Sequence, residues 1–182
     1  MEPPNRRASE LTEWSFRRWD GRIDRAGFDC GEPVLNQWLR EQAGQSERRD
    51  TARTYLAVAS EGEHSGYVSL CLAQIDAADL NLPGLTDRYP ISAVRLARLA
   101  VDVRYQGQGL GSYLLAQSVR LAHEVMERAA FQVLVVDALD AEVTAFYARW
   151  ALHASGTTPA GCTSQQRRSG LQYMRPRSGS EL

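Results

Sequence analysis

The sequence predicts an α/β fold with a mixed sheet centred on two parallel strands, and three observations predict it. First, residues 94–112 read as strand, glycine turn and helix start. Leu96, Leu99 and Val101 stand among small residues and arginines, and the chain then turns through Gly107, Gly109 and Gly111. Leu110, Leu114, Leu121 and Val125 follow at helical spacing. Second, Val133, Leu134, Val135 and Val136 form an unbroken apolar run, as in a strand covered on both faces. Third, residues 55–59 and 66–75 alternate on either side of Glu61-Gly62-Glu63, which reads as an antiparallel hairpin. Strands near 95–102 and 133–137 joined by a helix near 109–128 make a right-handed crossover.

The remaining elements fall into place along the chain. Residues 1–12 and 176–182 are expected to be flexible ends of a single domain spanning 1–182. Trp14, Phe16 and Trp19 predict a first strand near 14–19. Asp29 or Gly31 can cap a helix that opens at Pro33 and carries Leu35, Trp38, Leu39 and Gln42 at helical spacing. Residues 76–93 read as a long connector of the kind that shapes a site. Residues 141–150 predict a short helix containing Phe146 and Tyr147, residues 156–170 a flexible polar linker, and residues 171–174 a last strand.

Composition narrows the function classes. Hydrophobic residues make up 43% of the chain and charged residues 24%, as in an ordinary globular protein. A formal net charge of −1 gives no global basic field to advertise nucleic acid. All 21 basic side chains are arginine, the better fork for phosphate. No apolar run is long enough for a signal sequence core or a membrane span, so a cytoplasmic location is expected. Cys30, Cys71 and Cys162 have no metal or redox spacing.

The glycine turn is the feature with the most chemistry. Backbone N–H groups left free at a helix start, together with the positive end of the helix dipole, suit a phosphate. A bare strand-to-helix corner is the alternative. A Walker loop is excluded because the chain contains no lysine, and a dinucleotide fingerprint would need glycine where Ser112 stands.

Arg104-x-x-Gly107-x-Gly109, directly after Leu99-Ala100-Val101, resembles the acetyl-CoA motif of the GNAT N-acetyltransferase superfamily. The resemblance implies a fold whose central parallel strands splay at their carboxyl ends, with acetyl-CoA as acyl donor and no metal. It implies that Leu99, Ala100 and Val101 lie along the acetyl-pantetheine arm, and that the carbonyl is polarised by backbone N–H near Val101. Arg104, Gln106, Gly107, Gln108, Gly109, Leu110, Gly111 and Ser112 would cradle the pyrophosphate. Phe146 would line the cofactor, and Tyr147 matches the tyrosine that protonates the departing thiolate. For Phe146 and Tyr147 the other reading is a pair of core aromatics. Asp137 and Asp140 are candidate bases, with strand-end and cap roles as the alternative.

A narrower likeness rests on two segments. Phe28-Asp29-Cys30-Gly31 leading into Asn36-x-Trp38-Leu39, and Arg88-Tyr89-Pro90-Ile91 leading into residues 94–101, resemble the TacT-type toxins of toxin–antitoxin modules. That implies acetylation of the α-amine of aminoacyl-tRNA, a block to translation, a ribbon-helix-helix antitoxin and self-association as a homodimer. The polar stretch 47–54 is then either a solvated loop or a phosphate contact. On the second reading Arg48, Arg49, Arg53 and Arg95 are the expected tRNA contacts. Two other functions compete: acetylation of a small amine or protein N-terminus, and a CoA-binding module without turnover. In place of the glycine-aromatic pair usual after the Phe-Tyr helix, this chain has Arg149-Trp150-Ala151-Leu152.

Overall fold

A computed structural model describes residues 14–21, 25–60, 62–76, 80, 89–138, 141–150, 152–154 and 170–174. Its strands are β1 (Ser15–Arg18), β2 (Arg53–Val58), β3 (His64–Ile75), β4 (Ile91–Val101), β5 (Val133–Ala138), β6 (His153–Ala154) and β7 (Gly170–Met174). They form one seven-stranded sheet in the order β1-β2-β3-β4-β5-β7-β6. Only β4 and β5 are parallel among these pairs; the other neighbours run antiparallel. Before β2, α1 (Pro33–Gln37), a π-helical segment (Trp38–Gln42) and α2 (Ala43–Arg48) run without a break. Helix α3 (Leu110–Met126) makes the crossover between the parallel strands, and α4 (Ala141–Ala148) follows β5.

Two apolar layers sandwich the sheet. On one face, Ala57, Val68, Leu70, Val94, Leu96, Leu134 and Val136 pack against Leu110, Leu114 and Leu115 of α3 and Tyr147 of α4. On the other, Leu56, Val58, Tyr67 and Ala100 meet Phe28, Trp38, Leu39 and Ala43 of the first helical run. The π-helical segment explains how Trp38, Leu39 and Ala43 are all buried: the Ala43 N–H bonds to the Trp38 carbonyl, five residues back. Trp38 stacks on Tyr67 with ring centres 5.7 Å apart, and the Tyr67 hydroxyl donates to the Leu35 carbonyl at 2.9 Å.

Several sequence expectations are corrected here. The central strand begins at Ile91, so residues 91–93 belong to the sheet and not to the connector. On α3 the buried stripe runs through Leu110, Leu114, Leu115, Ser118 and Ala122, while Val125 is exposed. Leu121 is only partly buried beside that stripe. Neither Asp29 nor Gly31 is the cap of α1; Glu32 holds that position. Asp29 instead accepts from the Gly31 N–H at 2.9 Å and the Asn36 amide at 2.7 Å, which folds the turn ahead of the helix. The short strand β6 has no counterpart among the sequence expectations. Arg88, Asp140, Cys162 and most of the 156–170 linker lie outside the described residues.

The pairing of β4 is uneven, and that positions the site. Along β3, Ser69 faces Arg98 while Leu70 faces Leu96, so Ala97 is an extra residue, a β-bulge. It resets the alternation: Val94 and Leu96 face the α3 side before it, and Leu99 and Val101 pack on that same side after it. Pairing with β5 runs from Ala93↔Val133 to Leu96↔Val136 and stops just before the bulge. Beyond it β4 continues to Val101 and β5 to Ala138, the latter pairing, among the described residues, with β7 alone. The two parallel strands therefore part at their carboxyl ends.

Candidate active site

The gap between the parted strands has reactive groups on its walls. Residues 98–101 keep their antiparallel pairing to β3, and residues 97–101 have, among the described residues, no strand partner on the other side. Alternate N–H and C=O groups of this stretch point into the gap, as at any open strand edge. Leu99 and Val101 flank it and are partly buried against the α3 layer. An extended, amide-bearing chain can add to such an edge as a further strand does.

At the end of the gap the chain makes its glycine turn. Gly107 and Gly109 have φ of 72° and 89°, a backbone that L side chains avoid, and an added Cβ at either would meet no atom within 4 Å. Glycine is required there by the backbone and leaves open space in front of it. The main-chain N–H groups of residues 107–112 have no acceptor among the described residues; the first helical bond of α3 is Tyr113 N–H to Gly109 C=O. This array of free donors at the start of a 17-residue helix fits a pyrophosphate in number, polarity and access. Gly111 sits against Phe146, whose ring would be 3.7 Å from an added Cβ, and so joins the turn to α4.

Side chains in the turn brace it. Arg104 is half exposed, yet its guanidinium is turned back: Nε donates to Asp102 Oδ1 at 2.8 Å and Nη1 to Glu63 Oε2 at 2.8 Å. Asp102 is fully buried and also accepts from the N–H groups of Arg104 and Asp29. Burial pushes its carboxyl up, but the Arg104 side chain and the two backbone donors outweigh burial and hold it below the usual carboxylate range. Gln106 donates to the carbonyls of Cys30 and Val101, both at 3.0 Å, and Gln108 to the Arg104 carbonyl at 2.9 Å. Of the residues expected to cradle pyrophosphate, then, 107–112 present free backbone, whereas the side chains of Arg104, Gln106 and Gln108 hold the loop in shape. Sequence reasoning missed Asp102. Its signal is an acid that ends an apolar strand two residues before an arginine.

Tyr147 comes from α4 into the layer that joins the gap. The residue is 4% exposed, and its hydroxyl has no hydrogen-bond partner among the described residues. Burial, and after it the Asp137 charge, pushes the phenol well above its ordinary value, so it is protonated at neutral pH. Asp137 itself is held in a two-pronged contact by Arg95, with Nε–Oδ2 at 3.0 Å and Nη2–Oδ1 at 2.7 Å. Arg98 lies over the Trp38 ring, 4.2 Å from its centre.

The arginines expected to meet tRNA are not alike. Arg48 and Arg49 are exposed at the end of α2 with no ion pair among the described residues. Arg53 pairs with Asp50 and with Glu47, and Arg95 is the partner of Asp137. Among the described residues, no three His, Cys, Asp or Glu side chains group as metal ligands, and no helix is long and apolar enough to cross a membrane.

Comparison with known proteins gives the same picture. A tRNA-acetylating toxin of Mycobacterium tuberculosis (strain ATCC 25618 / H37Rv) is 31% identical over 146 residues, 79% of this chain and 86% of the relative. A solved structure of a tyrosine-to-phenylalanine mutant of KacT is 27% identical with a TM-score of 0.70, covering 84% of this chain and 88% of that one. AtaT complexed with acetyl-methionyl-tRNAfMet superposes with a TM-score of 0.75 at 23% identity, over 90% and 95% of the two chains, a likeness of fold. Residues 9–151 match the family model described as the acetyltransferase (GNAT) family. The splayed strand pair, the open glycine turn and this match together place the chain in the GNAT family of acetyl-CoA-dependent acetyltransferases.

Proposed function

We propose that this chain transfers the acetyl group of acetyl-CoA to the α-amino group of aminoacyl-tRNA, and so blocks translation as the toxin of a toxin–antitoxin pair. The observation that carries the reading is the 31% identity to a tRNA-acetylating toxin across 86% of that relative. Residues 1–182 serve as one catalytic domain. It acts in the cytoplasm, where charged tRNA is found, and is held in check by a ribbon-helix-helix antitoxin.

In this reading the pyrophosphate of acetyl-CoA lies on the free N–H groups of residues 107–112, and the pantetheine arm runs along residues 99–101. Phe146 covers the cofactor beside Gly111. The neutral α-amine attacks the thioester carbonyl, and backbone N–H near Val101 stabilises the developing oxyanion. An α-ammonium pKa of about 7.7–8.0 leaves roughly a tenth of the amine neutral at pH 7, so solvent can take its proton. Tyr147 then donates its proton to the departing CoA thiolate. A free thiol at about 8.5 and a phenol at about 10 are mismatched in water. A shared site without water penalises both anions, which keeps the transfer within reach.

The test is translation in vitro. Adding the enzyme with acetyl-CoA should stop peptide synthesis, and enzyme or acetyl-CoA alone should not. Undiminished synthesis, with acetyl transfer to a small amine in the same preparation, would favour the small-amine function instead.

A further inference from the structure

Arg95 and Asp137 meet where the backbone ladder between the parallel strands ends. The last paired residues are Leu96 and Val136. Arg95, still within the ladder opposite Val135, reaches forward to Asp137, the first residue of β5 beyond it. Both project from the face opposite α3: Ala93, Val133 and Val135, which share their phase of alternation, pack with Ile75 and Ile91 on that side. The contact is a flat fork with both carboxylate oxygens engaged, and the Asp137 side chain is 6% exposed. Such a pair fixes distance and angle together, which a point charge does not. Past it, the Ala97 bulge interrupts β4 and the β4–β5 pairing has ended, while β5 is tied laterally to β7. Asp137 also lies near enough to the Tyr147 phenol to act on it electrostatically.

We propose that the Arg95–Asp137 fork is a positioning pair for acetyl transfer: it sets the width of the gap at the point where β4 and β5 part, and so places the thioester carbonyl relative to the Tyr147 hydroxyl. This rests on acetyl transfer taking place in the gap, and not on the identity of the amine. On this assignment the pair governs turnover and leaves donor affinity alone. It also gives Arg95 a role other than binding tRNA.

The experiment measures kcat and acetyl-CoA affinity for Arg95→Met, Arg95→Lys and Asp137→Asn. The acceptor is whichever amine the wild-type enzyme acetylates, charged tRNA or a small amine, so failure of the tRNA reading leaves this test intact. A displacement on the order of 1 Å at the reacting atoms lowers turnover by about 10²-fold. Arg95→Met should show that loss with acetyl-CoA affinity within about twofold of wild type. Arg95→Lys keeps the charge without the fork and should fall nearly as far. Asp137→Asn keeps the shape with one acceptor oxygen and should fall less. If Arg95→Met does not fold, Arg95→Lys and Asp137→Asn carry the same comparison. Three results would overturn the proposal: turnover within about threefold of wild type in the arginine variants, full activity in Arg95→Lys alone, or donor affinity falling in step with kcat.

Discussion

Replacing Gly109 by alanine separates the turn's shape from its ligand. Gly109 has a φ of 89° and nothing within 4 Å of an added Cβ, so the only penalty in the free protein is conformational. A left-handed backbone disfavours an L residue by about 1–2 kcal/mol. The stiffer unfolded chain returns about 0.4–1 kcal/mol of that. The net loss is about 1 kcal/mol, or about 2–4 °C in Tm for a chain of this size. In the proposed complex the new methyl group would stand where the pyrophosphate approaches. Losing one backbone bond to a charged oxygen removes about 1.5–3 kcal/mol, which weakens acetyl-CoA binding by about ten- to a hundredfold. Gly21 supplies the control, with a φ of 85° and the same open surroundings, in the turn after β1. Gly21→Ala should show a similar Tm shift with unchanged affinity. Calorimetric titration and thermal melting of the two variants make the comparison. Equal acetyl-CoA affinity in the two would refute the assignment of the free N–H array to pyrophosphate.

Further outcomes follow from the same geometry. Tyr147→Phe should bind acetyl-CoA as wild type does and slow transfer by on the order of 10²–10⁴; single-turnover kinetics would return the residue to a core role if the rate is normal. Arg48→Glu with Arg49→Glu should weaken tRNA acetylation while sparing donor binding, and should flatten the salt dependence by about 0.7–0.9 in log–log slope for each phosphate no longer neutralised. An unchanged slope would remove these two arginines from the interface. Asp102→Asn should destabilise the fold at neutral pH by at least about 2 kcal/mol, since the Arg104 Nε and two backbone donors lose their charged acceptor. Because the Asp102 carboxyl titrates below its unfolded value of about 3.9, its contribution is complete above that pH and is lost as pH falls through the lower folded value. Melting curves below about pH 4 should therefore fall less steeply in the variant than in wild type, and parallel curves would contradict the linkage.

How much of the chain is legible in its sequence depends on the range of the interactions. The strand, glycine turn and helix are visible because every signal lies within residues 94–126 and is local. The bulge is not. That Val94, Leu96, Leu99 and Val101 share one sheet face, with one residue inserted between 96 and 99, is a matter of pairing and packing that their spacing alone does not dictate. Arg95 reads as a surface arginine because its partner, Asp137, is 42 residues away and is brought to it only by the register of the parallel pair. Arg104 looks like a phosphate ligand from its place in the motif, whereas Asp102 and Glu63 draw its guanidinium back. Tyr147 stands out through the family resemblance, and its burial in the α3-side core is a property of packing that no spacing encodes.

Whether aminoacyl-tRNA is the acceptor can be read from the charged tRNA itself. Purified enzyme is incubated with isotopically labelled acetyl-CoA and a total pool of aminoacyl-tRNA. The amino acids are then released by mild base and weighed by mass spectrometry. Label should appear as N-acetyl-amino acid from at least one tRNA species and should be absent when the tRNA is deacylated beforehand. A pool that stays wholly unlabelled, while the same enzyme acetylates a small primary amine, would contradict that acceptor.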